Sequence, residues 1–417
     1  MQNIFSKYNL LSIPLIISFF LLTLCYIPFS SFIGNYAVYI ELVLLIPFII
    51  RFRNYKLFLK IDFFFVLGIT LSFCSLIINR SLLSVQFCFT LLLGVISFLF
   101  AETASEASKR SVTLSVYILT NLVTLISGIA YIIVKTTNLV TSPNPMISSS
   151  FTNVLCCGGR LSGITFNPNM LGPSCMLSCI MAVFYIKENL QNRKIVVLHT
   201  TLCIINLYLQ FLTDCRASLV AALLVTIIFV LFSIKKHRKT ILLISFFLFL
   251  VILVCLPFEL NMLTKLTGRD WSTGSGRTLA FKEAFELIKQ NPLFGYGTVS
   301  NYRQTAELEN LNIIANLAGS HNLYIEIALL YGIPVLICFI LSICITFWKV
   351  LKSYIQNEDM FISNLAQPCL IVMFILVTGL FEHHGLFRLT PPMFFLVFAF
   401  FSLRKNLIKS DKDHCHQ

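Results

Sequence analysis

Four side chains in the polar stretches between long apolar runs are of the right types for chemistry on a phosphorylated substrate. They are Arg160, Arg216, Arg277 and His321. The guanidinium group of arginine is planar and always charged, so it can bind two oxygens of a diphosphate at once. An imidazole can take a proton from an attacking hydroxyl group near neutral pH. We therefore expect arginines that hold an anionic leaving group beside one general base.

His321 is the candidate base because of its place in the chain. It lies in Ser320-His321-Asn322, directly before an apolar run. Ser320 is a good N-cap, which would put His321 in the first turn of a helix, where the helix dipole disfavours the charged imidazolium. Glu326 would lie about 140° around that helix from His321 and on the same face as Asn322, so it is not expected to pair with His321.

A second titratable cluster follows a later apolar run. It contains Glu382 and His383. Such groups could bind an acceptor or support the base, and they could equally form a solvated turn. We therefore name Asn322, Glu382 and His383 as candidate acceptor-binding or supporting residues.

The composition indicates a membrane protein. The chain has 417 residues, of which 57% are hydrophobic and 12% charged, whereas soluble domains carry about 25% charged residues. Apolar segments of roughly 18 to 25 residues recur, and each is long enough to cross about 30 Å of hydrocarbon as a helix. We predict an all-α polytopic protein with twelve transmembrane helices, centred near residues 20, 42, 70, 91, 123, 178, 204, 226, 249, 335, 373 and 396.

The positions of the basic residues predict the orientation. Most of the 31 Lys and Arg residues fall in alternate connecting segments, and short basic loops stay cytoplasmic. Both termini are therefore predicted inside, and anionic lipid rather than nucleic acid accounts for the net charge of +13. The predicted division is 1–257 for helices one to nine, 258–320 for a large external loop, 321–404 for helices ten to twelve, and 405–417 for a cytoplasmic tail.

The long loop contains an amphipathic helix by its periodicity. It opens at Gly276-Arg277 and ends at Asn291-Pro292. An apolar stripe is predicted on one face, and Arg277 projects onto that stripe, so its guanidinium should have an anionic partner. The alternative is a helix lying on the bilayer with Arg277 against a lipid phosphate. The stripe comprises Phe281, Ala284, Phe285 and Ile288.

Arg160 and Arg216 each stand beside a predicted helix end. Arg160 precedes Asn167-Pro168-Asn169, which can cap the sixth apolar segment. Arg216 lies in a very short turn, Thr213 to Ser218, between two apolar segments. It could snorkel alone toward lipid phosphates, or it could share a pocket with Arg160.

The motifs that are missing also narrow the chemistry. The sequence has no Walker A motif, so ATP is not expected as an energy source. The single Asp-x-Asp is Asp411-Lys412-Asp413 in the tail, a poor place for a metal-dependent nucleotide-sugar site. We therefore expect no metal and no cofactor, and a donor that is already carried by a lipid.

Four motifs in order resemble the O-antigen ligase and O-antigen polymerase superfamily. Together they cover about residues 155 to 345. They are Arg-x-x-Gly with Asn-Pro-Asn (Arg160 to Asn169), Thr-x-x-Arg-Ala (Thr213 to Ala217), Ser-Gly-Arg up to Pro-Leu-x-Gly-x-Gly (Ser275 to Gly297), and His-Asn-x-Tyr with a following Gly (His321 to Gly332).

The resemblance implies a metal-independent, inverting glycosyltransferase of the bacterial plasma membrane. Its donor would be an undecaprenyl-diphosphate-linked oligosaccharide, held through its diphosphate by Arg160, Arg216 and Arg277 while His321 activates the acceptor hydroxyl on the external face. Partners implied are membrane lipid, a chain-length regulator and a flippase. The motif forms favour a polymerase of surface polysaccharide; a ligase to lipid A core, a protein glycosyltransferase, and a transporter or flippase of lipid-linked sugars stay open.

Overall fold

The structure, a computed structural model, is almost entirely helical. It describes residues 12–24, 36, 39–40, 43, 63–81, 84–136, 156–157, 160–165, 167–232, 277–316, 320–356, 365–382 and 390–415. A two-residue hairpin, β1 (Cys156–Cys157) and β2 (Arg160–Leu161), pairs antiparallel. The helices are α1 (Ser12–Leu24), α2 (Phe63–Ile78), α3 (Val85–Thr103), α4 (Glu106–Thr136), α5 (Pro168–Glu188), α6 (Arg193–Thr213), α7 (Arg216–Phe232), α8 (Arg277–Gln290), α9 (Val299–Leu308), α10 (Asn312–Asn316), α11 (Leu323–Tyr331), α12 (Ile333–Gln356), α13 (Ala366–Thr378) and α14 (Pro391–Cys415).

The helices follow the apolar segments of the sequence. Ten of the twelve predicted segment centres fall inside them, and those near residues 42 and 249 lie outside the described residues. The fold is therefore that of an all-α membrane protein, while the total of twelve spans stays a prediction. Within the described part of the chain, five stretches are long and apolar enough to cross a membrane: Gln86–Thr103, Glu106–Ile133, Pro168–Glu188, Arg193–Thr213 and Ile333–Ile355.

The main core lies between α1, α3, α4, α5, α7, α13 and α14. It is rich in phenylalanine, and Phe394 of α14 packs edge-on against Phe19 of α1 with ring centroids 5.2 Å apart. Lys405 of α14 reaches Glu102 of α3, Nζ to Oε2 at 2.8 Å, at one end of this bundle. The helix α14 continues past residue 404, so the segment that we assigned to a tail is helical to Cys415.

The loop helices α8, α9 and α10 form a second cluster with α11. Helix α8 begins and ends where the sequence predicts. Its buried face consists of Ala280, Ala284, Leu287 and Ile288, while Phe285 is 52% exposed. Within the predicted apolar stripe, Ala284 and Ile288 are therefore buried and Phe285 is exposed, and Leu287, which the stripe did not include, is buried beside them.

The turn after α8 is clamped to the junction of α11 and α12 by backbone hydrogen bonds. The N–H groups of Tyr296 and Gly297 donate to the carbonyls of Leu329 and Leu330 at 2.8 and 2.7 Å. A side chain would not fit here, because a Cβ on Gly295 would lie 2.5 Å from the oxygen of Leu329. The Pro-Leu-x-Gly-x-Gly motif therefore fixes the loop onto the bundle.

The chain changes direction at Gly332, between α11 and α12. Its φ of 89° and ψ of 168° belong to a region that essentially only glycine occupies. A Cβ at this position would lie 2.2 Å from the backbone oxygen of Leu293. Consequently α11, which the sequence suggested to be the start of a membrane span, is a separate nine-residue helix.

Candidate active site

His321 pairs with Glu382. The His321 Nδ1 and the Glu382 Oε2 are 3.2 Å apart, and the two side chains are 19% and 2% exposed. A carboxylate on Nδ1 fixes the orientation and tautomer of an imidazole, which leaves Nε2 as the nitrogen that takes a proton. Glu382 is therefore buried against His321 and is not part of a solvated turn, while its role as a residue supporting the base stays a prediction.

His321 does not belong to a helix. Its φ is +52°, in the left-handed region, and the N-cap of α11 is Asn322, whose Oδ1 accepts from the N–H groups of Tyr324 and Ile325. The prediction that Ser320 caps the helix and that the helix dipole acts on His321 is therefore wrong. Both Ser320 and Asn322 are good capping residues, and Asn322 takes the position. Glu382 acts on the imidazole instead.

The segment around His321 is docked onto the end of α13. The Asn322 Nδ2 donates to the carbonyl of Leu380 at 2.9 Å, and the Leu323 N–H donates to the carbonyl of Gly379 at 2.7 Å. These bonds hold His321 and Glu382 in register although they are 61 residues apart. Sequence spacing alone gives no signal for this pair.

Arg160 holds the turn between α6 and α7. Its Nε donates to the carbonyl of Thr213 at 2.9 Å, and its Nη2 donates to the carbonyl of Asp214 at 3.1 Å and to Asn169 Oδ1 at 2.9 Å. Asn169 is the second residue of α5, whose N-cap is Asn167 as predicted. A guanidinium has five N–H donors, and the two on Nη1 of Arg160 bond to no acceptor in the part of the chain that the structure describes.

Arg216 sits on the other side of the same turn. Its Nε lies 3.1 Å from Asp214 Oδ1, and the Arg216 side chain is 39% exposed. Asp214 adopts the left-handed conformation, with a φ of +46°. The structure therefore brings Arg160 and Arg216 to the two sides of Asp214, a residue to which the sequence analysis gave no role.

A buried glutamine shapes this turn. The Gln210 Nε2 donates to the carbonyl of Cys215 at 2.7 Å and to Ser218 Oγ at 2.9 Å. The hydroxyl of Thr213 donates back to the carbonyl of Gln210 at 2.7 Å. Helix α5 presses on the turn from beside it, since a Cβ on Gly172 would lie 2.5 Å from that of Cys215. The turn is thus tightly built.

The arginine turn and the His321 pair belong to the same end of the bundle. Helix α7, which starts at Arg216, packs against α13, which ends just before Glu382. Burial raises the pKa of the Cys215 thiol and hydrogen bonds with Ser218 lower it, while the charges of Glu382 and Arg160 act on it in opposite directions. Both charged groups are therefore within electrostatic reach of Cys215, and we call this end the site end.

Two further candidates cannot be placed. Arg277 is the first residue of α8, but its side chain lies outside the described residues, and so does His383.

Among the described residues, no group of three or more His, Cys, Asp and Glu side chains is arranged to hold a metal ion. An apolar cavity of about 450 Å³ between α2, α3, α12 and α14 reaches Ile327 of α11; its lining lacks the charged groups that the chemistry needs.

The structure is that of a polytopic membrane protein, because several of its apolar helices are long enough to cross a membrane. The site end of its helix bundle carries an imidazole–carboxylate pair and two arginines. Residues 201–340, about a third of the chain, match the family model described as O-Antigen ligase. This match supports the superfamily that the motifs predicted, that of the O-antigen ligases and polymerases. No curated protein and no solved structure gave a match.

Proposed function

We propose that the protein polymerises undecaprenyl-diphosphate-linked oligosaccharide repeat units into a surface polysaccharide at the external face of the plasma membrane. The observation that carries the proposal is the bond between His321 Nδ1 and Glu382 Oε2. It lies at the end of a membrane bundle, within a chain whose residues 201–340 match the O-antigen ligase family. Arg216, Arg277 and His321 fall inside that match.

In the proposed reaction, His321 is the general base. The acceptor hydroxyl oxygen attacks the anomeric carbon of the donor, its proton passes to His321 Nε2, and the bond from the anomeric carbon to the diphosphate oxygen breaks. The carboxylate of Glu382 keeps the imidazole oriented and stabilises the imidazolium that forms. One displacement inverts the anomeric configuration, and no step requires a metal.

The leaving diphosphate would be held by arginines. Arg216 is half-exposed beside Asp214, and the Nη1 of Arg160 carries two further N–H donors. Developing negative charge on a leaving group is stabilised most by donors that are already positioned for it. Arg277 at the start of α8 is proposed as the third cation on the strength of the resemblance.

The proposed arrangement in the membrane follows the charge distribution. Both termini and the basic loops would face the cytoplasm, twelve helices would cross the bilayer, and residues 258–320 would form the external loop. The site end would then face outward, where a flippase delivers the lipid-linked unit and a chain-length regulator can act. Membrane lipid and the lipid-linked glycan are the partners that we propose.

The ligase alternative uses the same site with a different acceptor. In the test, purified wild-type protein receives lipid-linked repeat unit alone, and then repeat unit with lipid A core, while product length and released lipid diphosphate are followed. Chain growth from the repeat unit alone supports a polymerase, and product only with core makes the protein a ligase. Movement of lipid-linked sugar across vesicles without any transfer would instead make it a transporter.

Arg160→Lys is expected to reduce transfer roughly 10-fold or more, because an ammonium group has three donors on one nitrogen and cannot replace the bonds of Nε and Nη2 while also donating to a diphosphate. Arg193→Lys is the matched control: Arg193 is exposed at the opposite end of α6 and the change should leave transfer unaltered. Initial rates of diphosphate release measure both variants. Equal rates for the two would remove Arg160 from the proposed site.

A further inference from the structure

Glu326 is a buried carboxyl group that the proposed reaction does not use. It lies in the first turn of α11 and is 1% exposed. A polar group buried this deeply is stable only when it is well hydrogen-bonded. Its Oε2 accepts from the backbone N–H of Ser320 at 3.0 Å, and its Oε1 accepts from the hydroxyl of Tyr302 at 3.2 Å.

The first of these bonds fixes the peptide that leads into His321. A non-glycine residue with a φ of +52° is held in a sparsely populated conformation, which persists only when its surroundings over-determine it. Glu382 fixes the imidazole of His321 on one side. Glu326 holds the backbone N–H of Ser320, the residue before His321. On the other side of His321, the side chain of Asn322 is held by its bond to the carbonyl of Leu380.

The second bond connects this segment to the long loop. Tyr302 belongs to α9 and is fully buried in the cluster that α8 and α9 form with α11. One carboxyl group therefore joins the loop helix, the segment 320–322 and α11. We propose that Glu326 is a positioning residue that sets the place of the His321 imidazole through these two hydrogen bonds, an inference that rests on the proposed function of His321 as the base.

Two substitutions of Glu326 separate position from charge. Glu326→Gln keeps both bonds, because its amide oxygen can accept from Ser320 while its NH₂ donates to Tyr302. Its turnover should stay within about threefold of wild type. Glu326→Leu loses both bonds and should lower turnover roughly 10- to 100-fold with little change in KM, since misplacement of about 1 Å can cost that much. Wild-type turnover of Glu326→Leu, or equal losses for Gln and Leu, would overturn the proposal.

A tyrosine pair controls for general destabilisation. Tyr302→Phe should lower turnover several-fold. Tyr296→Phe removes a comparable hydroxyl from the same cluster, one that donates to the carbonyl of Leu287 at 3.1 Å, and should leave turnover unchanged. Equal effects of the two variants would overturn the proposal. If Glu326→Leu does not accumulate as folded protein, this tyrosine pair still tests whether Glu326 positions His321.

A readout that needs no glycosyl transfer distinguishes this inference from the proposed function. The His321 side chain is 19% exposed, so diethyl pyrocarbonate can modify it, and mass spectrometry gives the rate at this residue. The rate should change at least twofold in Glu326→Leu and Tyr302→Phe but not in Tyr296→Phe. Unchanged rates in all three would overturn the positioning role, whereas a wild-type protein without transfer activity would overturn only the proposed function.

Discussion

His321→Ala should lose roughly 10²- to 10⁴-fold in the rate of diphosphate release, which is the range that a general base contributes. The protein should still accumulate and unfold near the wild-type temperature, because the His321 side chain is partly exposed and packs little apolar surface into the core. Glu382→Gln should cause a smaller loss, since an amide can still accept from Nδ1 but cannot stabilise an imidazolium as a carboxylate does.

His199→Gln is the control for the loss of an imidazole. His199 is buried in α6, with its Nδ1 3.0 Å from the hydroxyl of Tyr117 and its ring stacked on Tyr185. This variant should lower the unfolding temperature and leave transfer by the folded fraction near wild type. If His199→Gln and His321→Ala lost transfer equally per folded molecule, His321 would have no special role in the reaction.

Gly332→Ala should prevent the protein from accumulating in a folded state. The backbone at Gly332 lies in a region that costs an alanine about 1–3 kcal/mol, and the new Cβ would lie 2.2 Å from the backbone oxygen of Leu293. Either α11 must separate from the turn after α8 or the chain must adopt another path. Size-exclusion profiles and thermal unfolding of detergent-solubilised protein measure the result.

Gly94→Ala provides the comparison within a helix. A Cβ on Gly94 of α3 would meet only Phe401, at 3.8 Å, which is an ordinary contact. Alanine is the better helix former, so this variant should be as stable as wild type or more so. A Gly332→Ala protein that accumulates and unfolds like Gly94→Ala would mean that the junction of α11 and α12 is not as tight as described.

The helices could be predicted from sequence because the signals for them are local. Apolar runs mark the spans, Asn167 caps α5, and Asn291-Pro292 ends α8 as expected. The buried face of α8 was harder to predict, because Leu279, Ala280 and Leu287 extend the apolar side of the helix beyond the four residues of the stripe. Leu287 is buried and Phe285 is exposed because of how α8 packs against α11. This tertiary contact cannot be predicted from the periodicity of a single sequence.

The site was predictable in its residue types but not in its bonds. The positions of Arg160, Arg216 and His321 beside predicted helix ends were enough to single them out. The partners come from distant parts of the chain: Glu382 lies 61 residues from His321, and Thr213 lies 53 residues from Arg160. Local spacing cannot indicate such pairs. It also could not show whether Ser320 or Asn322 is the N-cap of α11, because both residue types are good N-caps.

The dependence of the loop on α11 also determines where a recombinant fragment could be cut. A fragment that stopped at residue 320 would keep α8 and α9 but lose α11, and would expose Ala284, Leu287 and Ile288 to water. It would aggregate rather than fold. A fragment intended for crystallisation or immunisation would need to continue at least through Tyr331, so it must include the nine apolar residues of α11, which the sequence pattern assigned to a membrane span.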